Sequence, residues 1–311
     1  MHVGRRGLGP AARAPFGGFS LDLAFFLQLL VNGLALGVIY ALIALGLSLI
    51  FGVIEIVNFA HGEFYMLGAM LAFFLASDWS LGYWPIILLV TLALAAIGYL
   101  FYETLLVHLR TKSFERNIML TLGVSMVMQS GAMYLWSPTP RLVPSPYTYT
   151  NIAFGDVRIG LLKVFVLGLA IASFIALYVL LHTTRLGKAM RGIAQNRDAA
   201  LMVGINPAAI ARYAVAIGIG LTGLAGAALA PVYAVHPVMG LSYMFKAFAV
   251  IIIGGLGNVS GAAIIAIMLG LVESIAGGFL PLGIVDSLAF VLMIAVLLAR
   301  PRGLFGRSVR V

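Results

Sequence analysis

Nine residues, Glu55-Ile56-Val57-Asn58-Phe59-Ala60-His61-Gly62-Glu63, form a polar island in an apolar run from Leu23 to Ala76. Lipid offers no water to backbone or ionisable groups, so such an island persists only where it faces protein or a watery cavity. A second long run, Lys246 to Gly278, is broken at Gly254-Gly255-Leu256-Gly257-Asn258. Two interrupted hydrophobic segments at comparable places in two halves of a chain point to a solute pathway. The expectation is a transport protein.

Composition supports lipid as the solvent. Hydrophobic residues make up 62% of 311 positions and charged residues 9%, where a soluble domain carries about 25%. Little mass is left for a soluble catalytic domain. The absence of cysteine excludes disulfides, thiolate metal sites and cysteine nucleophiles. The five histidines, His2, His61, His108, His182 and His236, show no metal-ligand spacing, so neither metal nor cofactor is expected.

The net charge of +9 is a matter of topology rather than of nucleic-acid binding. Most Lys and Arg residues cluster beside apolar segments: Arg5, Arg6, Arg13; Arg110, Lys112, Arg116; Arg185, Lys188, Arg191, Arg197, Arg212; and Arg300, Arg302, Arg307, Arg310. Positive charge flanking spans marks the cytoplasmic face. Both termini are therefore expected in the cytoplasm. Residues 1–21 read as a flexible basic arm, 22–305 as the transmembrane domain and 306–311 as a basic tail.

A span needs roughly 20 apolar residues. Candidates are Phe25–Phe51, Trp84–Glu103, Ile118–Trp136, Leu161–Leu181, Ala209–Ala230 and Ile284–Leu298, with the broken segments Gly52–Ala76 and Lys246–Gly278. The expected fold is an all-α polytopic membrane protein. It has about eight membrane segments, two of them broken or re-entrant, in two loosely related halves near 25–103 and 209–300. With all basic clusters on one side, an even number of crossings must separate them. Each broken segment is then re-entrant from outside, or is a half helix followed by a returning helix. The proline-rich stretch 137–160 falls outside, and Tyr147–Ile159 alternates as a short hairpin would. Trp79, Trp84 and Trp136 fall near the outer boundary, as interfacial tryptophans do.

The island offers amide, imidazole and carboxylate groups beside a helix break. Asn58, His61 and Glu63 either line the pathway or hold the break together by bonding freed backbone groups. A catalytic pair of His61 and Glu63 would lack a neighbouring nucleophile or metal cluster. The glycines of 254–258 lack the Lys-Ser/Thr of a phosphate loop and suit close backbone packing, with Asn258 at the end of the break. Lys246 fits snorkelling to the outer interface. Asn32, Ser125 and Gln129 can line a pore or bond between helices, and Glu273 can serve the pathway or an ion pair. In the loop 182–208, apolar residues recur at loosely helical spacing after Gly187. Gly204 can stop that helix, and Asn206-Pro207 can start the next. Such a helix can lie on the membrane or dock into a partner's groove.

Four separated matches in order carry a family resemblance. They are Asn58-Phe-Ala-His-Gly-Glu63, Arg185-Leu-Gly-Lys-Ala-Met-Arg191 with Leu201-Met-Val-Gly-Ile-Asn206, Lys246-Ala-Phe248, and Gly254-Gly-Leu-Gly-Asn258. From about Leu27 to Phe305 the chain resembles the branched-chain amino acid ABC transporter permeases, most closely the first of the two permeases in that system. The resemblance implies a permease subunit without catalytic residues, in a bacterial cytoplasmic (inner) membrane. It also implies a second permease, two ATP-hydrolysing subunits and an external solute-binding protein as partners.

By the same resemblance the loop is the coupling segment that docks on the ATPase, through Arg185, Gly187, Arg191, Asn196, Arg197, Ala199, Gly204 and Asn206. Asn32, Asn58, His61, Glu63, Gln129, Asn258 and Glu273 are the expected pathway residues. The expected solute is a small amino acid, branched-chain first. Urea, amides and aromatic acids are the alternatives within the class. A stand-alone proton-coupled carrier using Glu55, His61, Glu63 or Glu273 is the alternative outside it.

Overall fold

A computed structural model describes residues 23–109, 113–154 and 157–306 of the chain. Arg5, Arg6, Arg13, Arg110, Lys112, Arg307 and Arg310, and with them the expected N-terminal arm, lie outside the described residues. Six helices are long and apolar enough to cross a membrane: Leu23–Ile54, Tyr83–Leu109, Glu115–Trp136, Leu161–Thr183, Pro207–Leu229 and Val259–Gly277. Shorter apolar helices join them at His61–Ser77, Met239–Gly254 and Leu282–Ala299. The chain is a multi-pass membrane protein.

In chain order the elements are α1 (Leu23–Ile54), α2 (His61–Ser77) and α3 (Tyr83–Phe101), then a π-helical stretch (Tyr102–Leu106) that ends in a last turn, α4 (Val107–Leu109). Next come α5 (Phe114–Trp136), the antiparallel hairpin β1 (Asn151–Phe154) and β2 (Val157–Gly160), and α6 (Leu161–Thr183). α7 (Arg185–Gln195), α8 (Arg197–Met202), α9 (Pro207–Leu229), α10 (Met239–Gly254), α11 (Val259–Gly277) and α12 (Leu282–Ala299) complete the fold. The hairpin forms where the alternating pattern of Tyr147–Ile159 predicts it.

Small residues set the packing, because apolar helices gain little from hiding apolar area in lipid and must instead approach closely. A Cβ on Gly37 of α1 would lie 2.7 Å from the Ile267 Cα of α11. A Cβ on Gly218 of α9 would lie 2.7 Å from the Gly46 carbonyl oxygen of α1. Gly68 of α2 meets Gly223 of α9 in the same way, at 2.6 Å. α1 is thus the central, largely buried helix, with α11 on one side and α9 on the other. α3 lies along α9 as α11 lies along α1, while α5 and α6 sit at the periphery.

These contacts orient the chain. The start of α1 touches the hairpin and the start of α6, through Arg158 N–H to Gln28 Oε1 (3.1 Å) and Lys163 Nζ to Asn32 Oδ1 (2.8 Å). Its other end, a 32-residue helix away, meets Gly257 through Gly52 and shares a small cavity with Met190 and Arg191 of α7. Residues 303–306 pack against Gly255 and Asn258 at that same end. The bundle therefore has a hairpin face and an α7 face. Leu23 lies at the first and Gly306 at the second.

The first broken segment neither re-enters nor returns: residues 55–60 leave the α7 face and α2 continues to the hairpin face, where Arg141 lies over the Phe73 ring (5.1 Å). The second segment is a half helix, α10, followed by a returning helix, α11. Charge counts cannot distinguish a segment that returns from one that crosses when its middle is unwound. The tryptophans do gather at the hairpin face, where Trp84 packs on Phe165 and Tyr83 (5.2 Å each).

Candidate solute pathway and coupling surface

α1 ends at Ile54, and Glu55 takes a left-handed conformation (φ 57°) with its N–H on the Phe51 carbonyl (2.9 Å). Asn58 then closes a turn: its Oδ1 accepts from the Ala60 N–H (3.1 Å) and its carbonyl from the His61 N–H (3.1 Å). Asn is suited to this because its short amide mimics a backbone turn. α2 begins at His61 deep inside the bundle. α10 begins equally deep, at Met239, after the irregular stretch 230–238. The two half helices meet through Gly62 and Gly240, with no room for a Cβ on either glycine.

Asn58, His61 and Glu63 are all fully buried at this junction. His61 Nε2 lies 2.7 Å from Thr222 Oγ1 and 3.3 Å from the Ile43 carbonyl. The Thr222 hydroxyl donates to the Gly218 carbonyl (2.9 Å), so the imidazole N–H is the donor to both acceptors. Glu63 Oε1 accepts from Ser125 Oγ (2.9 Å), and Oε2 faces Gly240, where a Cβ would lie 2.5 Å away. Asn58 Nδ2, His61 Nδ1 and Glu63 Oε2 have no partner among the described residues. The junction is both a scaffold for the break and a set of uncommitted polar atoms at membrane depth.

On the hairpin side of the junction lies a cavity of about 230 Å³, whose polar lining comes from Tyr65, Tyr233, His236 and Tyr243. The rings of Tyr65 and Tyr243 lie 4.6 Å apart. None of these four was an expected pathway residue. The local signal was present: Tyr65 follows Glu63 by two positions, and Tyr243 precedes Lys246 by three.

The remaining expected pathway residues lie apart from that junction. Asn258 caps α11 through Gly261 N–H (3.0 Å) and its amide donates to the Phe305 carbonyl (2.9 Å), so both its polar ends hold the α10–α11 break to the chain's end. Asn32 accepts from Lys163, at the hairpin face. Gln129 sits half-buried on α5. Glu273, only 3% exposed, accepts from Lys246 Nζ (2.9 Å) and from the Tyr40 hydroxyl (2.6 Å). Lys246 also reaches Asp286 on α12 (3.0 Å). The expected snorkelling lysine is instead the centre of a buried ion pair, because a carboxylate on α11 offers it a partner nearer than the interface.

At the opposite face, the loop expected to form one helix forms two. Thr184 caps α7 through the Gly187 N–H (3.0 Å), and Asn196 caps α8 through the Ala199 N–H (2.9 Å). Asn196 breaks the run because its side chain competes for backbone donors. Gly204 has φ 82°, which ends α8, and Asn206 caps α9 ahead of Pro207. Arg185, Arg197 and Ala199 are exposed, while Gly187 is buried against Leu180 and Leu181. Arg191 turns inward: its Nε is buried, and it lines the small cavity with Ser48, Gly52 and Gly257. The exposed tip is apolar: Leu201, Met202 and Val203 are 51%, 88% and 75% exposed.

Comparison with known proteins gives a consistent match. Residues 29–297 match the family model described as branched-chain amino acid transport system / permease component. The chain is 30% identical over 299 residues to the high-affinity branched-chain amino acid transport system permease protein BraD of Pseudomonas aeruginosa, across 92% of this chain and 97% of that protein. It is 28% identical over 302 residues to the permease protein LivH of Escherichia coli (strain K12), a component of a system of the same description, across 93% and 98% of the two. No solved structure shows a match.

Proposed function

We propose a function that proceeds from one premise: the chain belongs to the family of branched-chain amino acid transport system permease components. It is a transport subunit and not an enzyme. Its solute is a small amino acid with a branched aliphatic side chain, which crosses between the two half helices α2 and α10. The observation that carries this reading is the junction itself. Two interrupted helices meet at Gly62 and Gly240, with buried polar groups beside them and a cavity on one side. Broken helices around a central site are the means by which transporters place polar groups at membrane depth.

The partners are a second permease, two ATP-hydrolysing subunits at the α7 face and a solute-binding protein at the hairpin face, in a bacterial inner membrane. The apolar tip Leu201-Met202-Val203 supports the ATPase contact, since lone apolar side chains beyond the membrane gain by burial in a partner's groove. The α7 face is then cytoplasmic, in agreement with Arg185, Lys188, Arg197, Arg212, Arg300 and Arg302 at that end.

The two halves act as an inverted pair, α1–α2–α3 against α9–α10–α11. ATP binding moves α7 and α8, Arg191 carries that movement to Gly52 and Gly257, and the halves rock about the α2–α10 contact. Two results test this: co-purification of the chain with a P-loop ATPase and a second polytopic permease, and ATP-dependent uptake of labelled leucine or valine by the reconstituted assembly. Recovery of the chain alone under conditions that keep other membrane complexes intact would sink it.

A further inference from the structure

We propose that the cavity beneath the 230–238 stretch is the resting site of a net-neutral, zwitterionic amino acid with an aliphatic side chain. This rests on the transport reading above and adds the site and its selectivity. Its volume, about 230 Å³, corresponds to roughly eight groups of water size at about 30 Å³ each. A branched aliphatic amino acid has about that many heavy atoms.

The lining divides by chemistry. Leu229, Val235, Met239 and Ala69 give an apolar wall for a side chain. Tyr65, Tyr233, Tyr243 and His236 give hydroxyl and imidazole groups, which can both donate and accept. A zwitterion needs donors for its carboxylate and acceptors for its ammonium in the same small space, and phenol hydroxyls serve either end. Among the described residues, no Asp, Glu, Lys or Arg lines the cavity. Lys246 and Glu273 are paired with each other beyond Tyr243 and Tyr40, and Glu63 lies below the cavity at the Gly62–Gly240 contact, where Ser125 donates to it. An extra charge on the solute's side chain would therefore lose its hydration without finding a counter-ion, which is costly in an apolar enclosure. Arginine and lysine are disfavoured on charge.

The cavity is also a dead end on its α7 side. The Gly62–Gly240 contact closes the route beneath it, and the Tyr65 and Tyr243 rings, 4.6 Å apart, stand above that closure. A solute entering from the hairpin face stops here until the half helices separate.

The chain has no cysteine, so a single introduced thiol reports on this site alone. Ala234→Cys places it on the cavity wall at an exposed position, where folding does not depend on the side chain. The assembled transporter, in liposomes with its binding protein, is treated with a bulky maleimide from the hairpin side, with the wild-type assembly as control for thiols on partner subunits. Leucine uptake should fall to the ATP-free background in the variant only. Leucine or valine should slow the labelling, and arginine should not. Tyr233→Phe, which keeps the ring and removes one hydroxyl, should lower uptake per assembled complex several-fold. Full uptake after complete labelling would overturn the site, and equal protection by arginine would overturn its selectivity. If the unlabelled assembly moves no branched-chain amino acid, the transport reading fails first, and this proposal with it.

Discussion

Gly62 and Gly240 face each other where the half helices α2 and α10 converge, so closely that neither position has space for a Cβ. The stretches that lead into the two half helices hold the approach: Asn58 turns the chain into α2, and residues 230–238 turn it into α10. Because Gly240 also abuts Glu63 Oε2, the same contact that joins α2 to α10 fixes the position of a buried carboxylate.

Gly240→Ala should therefore destabilise the closed junction. The added methyl meets Glu63 and the Gly62 carbonyl, and overpacking of this kind costs about 1–3 kcal/mol. A lower thermal midpoint of the purified protein in detergent, together with reduced uptake, is the expected result. A wild-type midpoint would mean that the half helices part more easily than the packing implies.

Lys246→Met should be more damaging than the double substitution Lys246→Met with Glu273→Gln. Removing the lysine leaves Glu273 buried beside Tyr40 without its cation, and breaking a buried pair from one side costs about 3–5 kcal/mol. Removing both charges restores most of the stability. Asp286, 70% exposed on its side chain, contributes little by comparison. A thermal double-mutant cycle reads the coupling, and additive losses would show that the pair is not a unit.

Met202→Asp should release the ATPase subunit without preventing membrane insertion, since Met202 is 88% exposed and touches no core. Pull-down of the ATPase by the variant, compared with the amount inserted, measures this. Undiminished recovery would move the docking surface elsewhere on the α7 face.

Arg191→Ala and Arg197→Ala should separate coupling from docking. Arg191 lines the cavity beside Gly52 and Gly257, whereas Arg197 is exposed at the start of α8. The first variant should keep the ATPase bound and hydrolysing while uptake falls. The second should lose ATPase association. Identical behaviour of the two would argue that both simply belong to one docking surface.

Most of the helices and both breaks are legible in the chain alone. A run of twenty apolar residues has one stable form in lipid, and an interruption such as Asn58-Phe-Ala-His-Gly-Glu63 has to be sheltered. The cap Asn206 is legible too, because a short polar side chain before Pro207 and a helical run has a local partner two or three residues on, whereas the break at Asn196 is not. The groups that line the cavity are less so. Tyr65, Tyr233 and Tyr243 resemble any interfacial tyrosine until the 230–238 stretch is folded over α2. Lys246 resembles any boundary lysine until Glu273 is brought beside it.

What the sequence determined by itself is the solvent and the local grammar: lipid around the chain, helices of spanning length, an interruption in each half, and a loop with a helix stop at Gly204 and a start at Asn206-Pro207. The tertiary structure decided which helices touch, where the cavity lies, and that Leu23 and Gly306 end on opposite faces. The reason is physical. In lipid the outward and inward sides of a helix are both apolar, so hydrophobic periodicity does not say which side meets protein. Steric fit between small residues such as Gly46 and Gly218 makes that choice, and fit exists only once two helices are side by side.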